Sequence, residues 1–113
     1  MTLDEIKRRN AAAGYHWFEP ASMRFFASRV HELVHEGPGG IYFVSSERFI
    51  PAYGPPDGRF YTVRRFMPDG RIEDDSPFQH FKDARAAHRW AERSACGHNL
   101  AKDCPKHRED VQP

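Results

Sequence analysis

At 113 residues, with 39% hydrophobic and 13% aromatic content, the chain is long enough for one domain with one core, and its nine Phe, four Tyr and two Trp supply large areas to bury. A net charge of +1, from 17 basic and 16 acidic residues, excludes an acidic DNA mimic and by itself implies no nucleic-acid partner. No run approaches the roughly 20 apolar residues of a membrane helix, Thr2 to Asn10 is too charged for a signal peptide, and two cysteines make no disulfide scaffold, so the expected setting is cytoplasmic, in a reducing compartment, with no membrane partner.

Thr2 to Ala13 reads as a helix. Thr2 followed by Glu5 is a capping box, in which each side chain accepts from a backbone N–H that the helix leaves unpaired. Gly14 can take the left-handed conformation that ends the helix. After the aromatic connector Tyr15 to Glu19, Pro20 suits a first helical position and opens a short helix to about Ser28. The next stretch is open between two readings. Met23, Phe26, Ala27, Val30, Leu33 and Val34 keep helical spacing, yet Arg29 to Glu36 also reads as a strand that turns at Gly37-Pro38-Gly39-Gly40 into Ile41 to Ser46. Pro51 to Gly58 is a loop. Arg59 to Met67 alternates as a strand, Pro68-Asp69-Gly70 is a tight turn, and Arg71 to Ser76 returns as an edge strand stopped by Pro77. Lys82 to Ala95 is a helix whose stripe of Ala84, Ala87, Ala91 and Ala95 lets its backbone approach an aromatic-rich sheet. The expected fold is therefore α+β: N-terminal helices, an antiparallel hairpin-rich sheet of about four strands and one C-terminal helix packed on it. Residues 1–95 form the domain and 96–113 a polar tail. Phe43, Tyr61, Val63 and Trp90 are expected to be mainly buried.

The runs Gly14-Tyr15-His16-Trp17-Phe18, Ser22-Met23-Arg24-Phe25-Phe26, Gly40-Ile41-Tyr42-Phe43-Val44-Ser45-Ser46-Glu47 and Tyr61-Thr62-Val63-Arg64-Arg65-Phe66 resemble a family of small proteins from phages and other mobile elements, over roughly residues 5 to 95. The resemblance carries no chemistry. It implies a strand after Phe26 that enters a hairpin, here Arg29 to Glu36 paired with Ile41 to Arg48. It also implies a non-enzymatic accessory protein that binds a host protein or nucleoprotein complex, with counter-defence of the anti-CRISPR kind as the concrete form.

Three groups of residues are candidates for chemistry. His31-Glu32-Leu33-Val34-His35 matches H-E-x-x-H; on a helix the two His share a face, can hold Zn²⁺, and the Glu can act as base on a bound water in a small metallohydrolase. On a regular strand residues four apart stand about 13 Å apart, too far to share one metal. Against the hydrolase, Ile41 stands where the third His of an extended motif would fall. Cys96, His98, Cys104 and His107 offer four ligands of the kind that close a structural Zn²⁺ site, against the plainer reading of a polar tail with two free thiols. Lys82, Arg85, Arg89 and Arg93 form a basic stripe at helical spacing, extended by Arg64 and Arg65 on the hairpin. This surface could contact nucleic-acid phosphates or a protein partner, and the strand-and-helix order is similar to DNA-binding modules of integrase-arm type. Asp69, Glu73, Asp74, Asp75, Asp83 and Glu92 lie close by in sequence and would make it an ordinary mixed surface. No P-loop, nucleophile elbow or dinucleotide fingerprint occurs.

Overall fold

A computed structural model describes residues 1–26, 29–48 and 59–97 of the chain. In chain order it contains α1 (Leu3–Ala12), α2 (Pro20–Phe26), β1 (Arg29–Val30), β2 (His35–Gly37), β3 (Gly40–Arg48), β4 (Arg59–Phe66), β5 (Ile72–Asp74) and α3 (Ala84–Ala95). The fold is α+β. All strand pairs are antiparallel, in the order β1-β3-β4-β5, and β2 also pairs with β3.

The capping box forms as the sequence implies: the Glu5 amide donates to Thr2 Oγ1, and the Thr2 amide donates to Glu5 Oε1. Gly14 takes φ +89 just past the helix. At the other end of the chain Asp83 caps α3 by accepting from the Arg85 amide at 3.0 Å. The central hairpin pairs β3 with β4 over eight residues, from Ile41 opposite Phe66 to Arg48 opposite Arg59.

The alternation of side chains along β3 and β4 gives the sheet two apolar faces. On one face Tyr42, Val44 and Val63 pack against Ala87, Ala91 and Ala95 of α3, with Tyr61, Phe81 and Trp90 partly buried around them. On the other, Phe43 and Phe66 pack against Leu3 and Ile6 of α1, with Trp17 and Phe18 closing the layer. The small-residue stripe of α3 thus lies on the sheet as expected. Phe43 and Val63 are buried, whereas Tyr61 and Trp90 are partly buried. The Trp90 indole donates to Asp75 Oδ2 at 2.9 Å and Ser94 Oγ donates to the same oxygen at 2.6 Å, which ties α3 to the chain just after β5.

Two contacts that sequence patterns do not reveal hold the layers in place. Asn10 is fully buried; its Nδ2 donates to the Gly70 carbonyl at 2.8 Å and its Oδ1 accepts from the Trp17 amide at 2.7 Å. The Pro38-Gly39 turn between β2 and β3 docks on the end of α3, where the Gly39 amide donates to the Ala95 carbonyl at 2.8 Å. A Cβ at Gly39 would stand 2.1 Å from the Ser94 carbonyl oxygen, so only glycine permits this approach.

The segment between α2 and the turn is neither a helix nor one continuous strand. Residues facing each other across β1 and β3 have numbers that sum to 75 (29 with 46, 30 with 45); across β2 and β3 they sum to 77 (35 with 42, 37 with 40). Two extra residues are therefore inserted between the strands. The His31 amide still donates to the Val44 carbonyl, so the excess lies in Glu32-Leu33-Val34. This is an enlarged β-bulge.

Candidate functional sites

The bulge decides where the two His of the H-E-x-x-H match stand. His31 lies opposite Val44 and His35 opposite Tyr42, two positions apart on β3 and on the face that carries α3. The pair therefore behaves as i and i+2 of a regular strand, about 7 Å apart along it rather than 13 Å. The separation expected for a strand is corrected by this insertion, and the helical geometry of a zincin is absent from this segment. Glu32 is exposed and lines a cleft on the α1 side with Met1, Leu3, Asp4 and Lys7.

Between the two His stands His88 of α3. Its Nε2 is 3.0 Å from Nδ1 of His31, and its Nδ1 is 2.9 Å from Nε2 of His35. Each contact needs one N–H and one lone pair, so three neutral rings satisfy the chain without a charge. The His88 ring stacks on His31 at a centroid separation of 5.2 Å, and the Tyr61 ring meets His31 edge-on at 5.7 Å. Burial first, then the two neighbouring His, pushes the His88 pKa down from 6.5 to about 4. Burial also lowers His31, with Arg29 and Arg59 acting in the same direction. Burial lowers His35, opposed by Glu92. Glu92 lies one helical turn beyond His88. With His35, Gly37 and Cys96 it lines a cleft of about 300 Å³ between β2 and α3.

Nothing local in the sequence links His88 to His31 and His35, which stand 57 and 53 positions earlier. A signal did exist: His88 and Glu92 flank the alanine stripe of α3 on one side, as Trp90 and Ser94 flank it on the other.

The basic candidates divide by location. Arg64 is only 2% exposed. Its Nε donates to Ser45 Oγ at 2.8 Å, it pairs with Asp74, and its guanidinium lies 5.2 Å from the Trp17 ring centroid and 5.5 Å from that of Phe78. Arg64 is a core cation, out of reach of a large partner, and its assignment to a contact surface is corrected accordingly. Arg65 lies on the α3 face with its guanidinium 5.7 Å from the Tyr42 ring centroid. Lys82, Arg85 and Arg89 are exposed, and Arg93 is partly so. Buried Ala87, Ala91 and Ala95 mark the inner face of α3, which leaves Arg85, Arg89 and Arg93 on its outer side.

Five of the six nearby acids have partners other than the α3 arginine side chains. Asp74 holds Arg64, Asp69 and Glu73 flank Arg71 at 2.9 and 3.8 Å, Asp75 accepts from Trp90 and Ser94, and Asp83 caps α3. Among the described residues no ion pair joins Arg85 or Arg89 to a carboxylate.

Of the tail candidates, Cys96 is partly buried beside the β2–α3 cleft. His98, Cys104 and His107 lie outside the described residues. Among the described residues no helix is long and apolar enough to cross a membrane.

The model of a family of unknown function, DUF7447, matches residues 2–92. No match was found among curated proteins or among solved structures.

Proposed function

For a chain that belongs to the DUF7447 family of unknown function, whose name assigns no activity, we propose a non-enzymatic binding role: the outer face of α3 engages a phosphate backbone, carried by a nucleic acid or by a nucleoprotein complex. One observation supports this reading above the rest. Arg85 and Arg89 are exposed on the outer side of the helix with Lys82 in line, and no ion pair joins either arginine to a carboxylate among the described residues. From Arg85 to Arg93 the stripe runs roughly 12 Å at 1.5 Å per residue, which sets successive arginines about 6 Å apart. Arginine suits the task because its planar fork keeps its charge and grips phosphate oxygens in pairs.

The resemblance to small mobile-element proteins supplies a setting. The partner would be a host nucleoprotein, and counter-defence is the concrete version of the role. A hydrolytic role is less well supported, because Glu32 stands on the α1 side of the bulge while His31 and His35 face α3. Fluorescence anisotropy with labelled duplex and single-stranded DNA and RNA tests the proposal. The double variant Arg85→Ala, Arg89→Ala should bind every sequence more weakly while melting at an unchanged temperature. Equal binding by variant and wild type, or no binding by either, would refute a phosphate-binding role for this face.

A further inference from the structure

We propose that His31, His35 and His88 form a binding site for one borderline transition-metal ion, of the Zn²⁺, Ni²⁺, Co²⁺ or Cu²⁺ class, and that the bound ion clamps α3 to the β1–β2 edge of the sheet. The two-residue insertion at Glu32-Leu33-Val34 converts an i, i+4 separation into the equivalent of His-x-His on one strand face. Two imidazoles at that spacing can reach a common ion, and α3 delivers a third ring between them. Three neutral imidazoles, with a fourth position left for water or a carboxylate, are a set that zinc accepts.

Coordination of one ion requires the three rings to rearrange. Zn–N bonds of 2.0–2.1 Å set two nitrogens on a tetrahedral ion roughly 3.3–3.4 Å apart. The two observed N···N contacts, 3.0 and 2.9 Å, bring the three rings together but fall on opposite nitrogens of His88, so His31 Nδ1 and His35 Nε2 must approach each other as the ion binds. In the hydrogen-bonded arrangement His88 offers a different nitrogen to each neighbour, and no three donors converge among the described residues. Binding requires the His88 ring to turn so that one nitrogen faces the ion, with His31 and His35 adjusting their rotamers. The two N–H···N contacts are exchanged for coordinate bonds, each imidazole keeps the N–H on its other nitrogen, and no proton has to leave. Glu92, one turn along α3 and electrostatically felt by His35, is placed to orient that ring or to supply an oxygen. The site is distinct from the H-E-x-x-H hydrolase geometry, since His88 joins the two His and Glu32 lines the cleft on the α1 side.

The test is Zn²⁺ and Co²⁺ titration of the chelator-treated full chain, by calorimetry and by the visible spectrum of Co²⁺. The variants are His88→Ala, His35→Ala and, as a control on the tail, Cys104→Ser with His107→Ala. The expected result is about one equivalent bound with nitrogen-dominated Co²⁺ bands, a loss of at least tenfold in affinity for either cluster variant, and retention in the tail variant. Should His88→Ala fail to fold, paramagnetic broadening of imidazole resonances by Cu²⁺ in the wild type decides the matter, and it must fall on His31, His35 and His88 rather than on exposed His16 and His80. Absence of binding, binding lost only in the tail variant, or broadening confined to other histidines would overturn the proposal.

Discussion

In the metal-free protein, lowering the pH should weaken the fold through His88, and replacing this residue by glutamine should remove most of that dependence. Its pKa is about 4 in the folded chain against 6.5 for a free imidazole. Below 6.5 the unfolded chain binds a proton that the folded chain refuses. Stability therefore falls as the pH drops from 6.5 towards 4, and is fully present above 6.5. At the full shift, linkage between pH 7.5 and 5 amounts to about 2 kcal/mol, and to about 1 kcal/mol once solvent screening of a half-buried ring is allowed for. His31 and His35 are lowered as well and act in the same direction, and the three rings titrate as a coupled set. Since 1 kcal/mol corresponds to about 4–8 °C for a domain of this size, the wild type should lose that much more in melting temperature than His88→Gln over the same interval. Thermal denaturation in chelator at a series of pH values provides the comparison. Parallel curves for the two proteins would mean that His88 is not held neutral by its surroundings, and the cluster geometry would be wrong.

Three further outcomes follow from the packing. Asn10→Ala leaves the Gly70 carbonyl and the Trp17 amide without their partner and should cost about 2–4 kcal/mol in urea denaturation. Gly39→Ala forces the β2–β3 turn off the end of α3 and should cost about 1–3 kcal/mol, with amide exchange accelerated first in the last turn of α3. Arg64→Ala should cost about 2–3 kcal/mol and act as a stability mutation, whereas Arg85→Ala should leave the melting temperature nearly unchanged.

Much of the fold could be read from sequence because it rests on local rules. The Thr2–Glu5 box, the alternation of Arg59 to Phe66 and the alanine stripe of α3 each specify their own element, and the structure contains all of them. Residues 29–37 resisted reading because helical spacing and strand composition coexist there. The observed solution, two short strands separated by a bulge, depends on where β3 offers partners and where α3 lies. The fate of charged residues was equally hidden. Arg64 becomes a core residue only because Ser45, Asp74, Trp17 and Phe78 arrive from four separate stretches of chain. The same kind of long-range pairing engages Asp74 and Asp75, which lie near the basic residues in sequence. His31 and His35 were visible as a motif, but their meaning changed once the bulge put them on one face and α3 added His88.

The central claim, that the outer face of α3 carries phosphate-binding charge, is tested most directly by the salt dependence of nucleic-acid binding. Each phosphate contact contributes about 0.7–0.9 to the slope of log K against log salt. If Arg85 and Arg89 each hold one phosphate, the slope for the Arg85→Ala, Arg89→Ala protein should be shallower than that of the wild type by about 1.4–1.8, with no change in fold. Identical slopes for the two proteins would contradict the account.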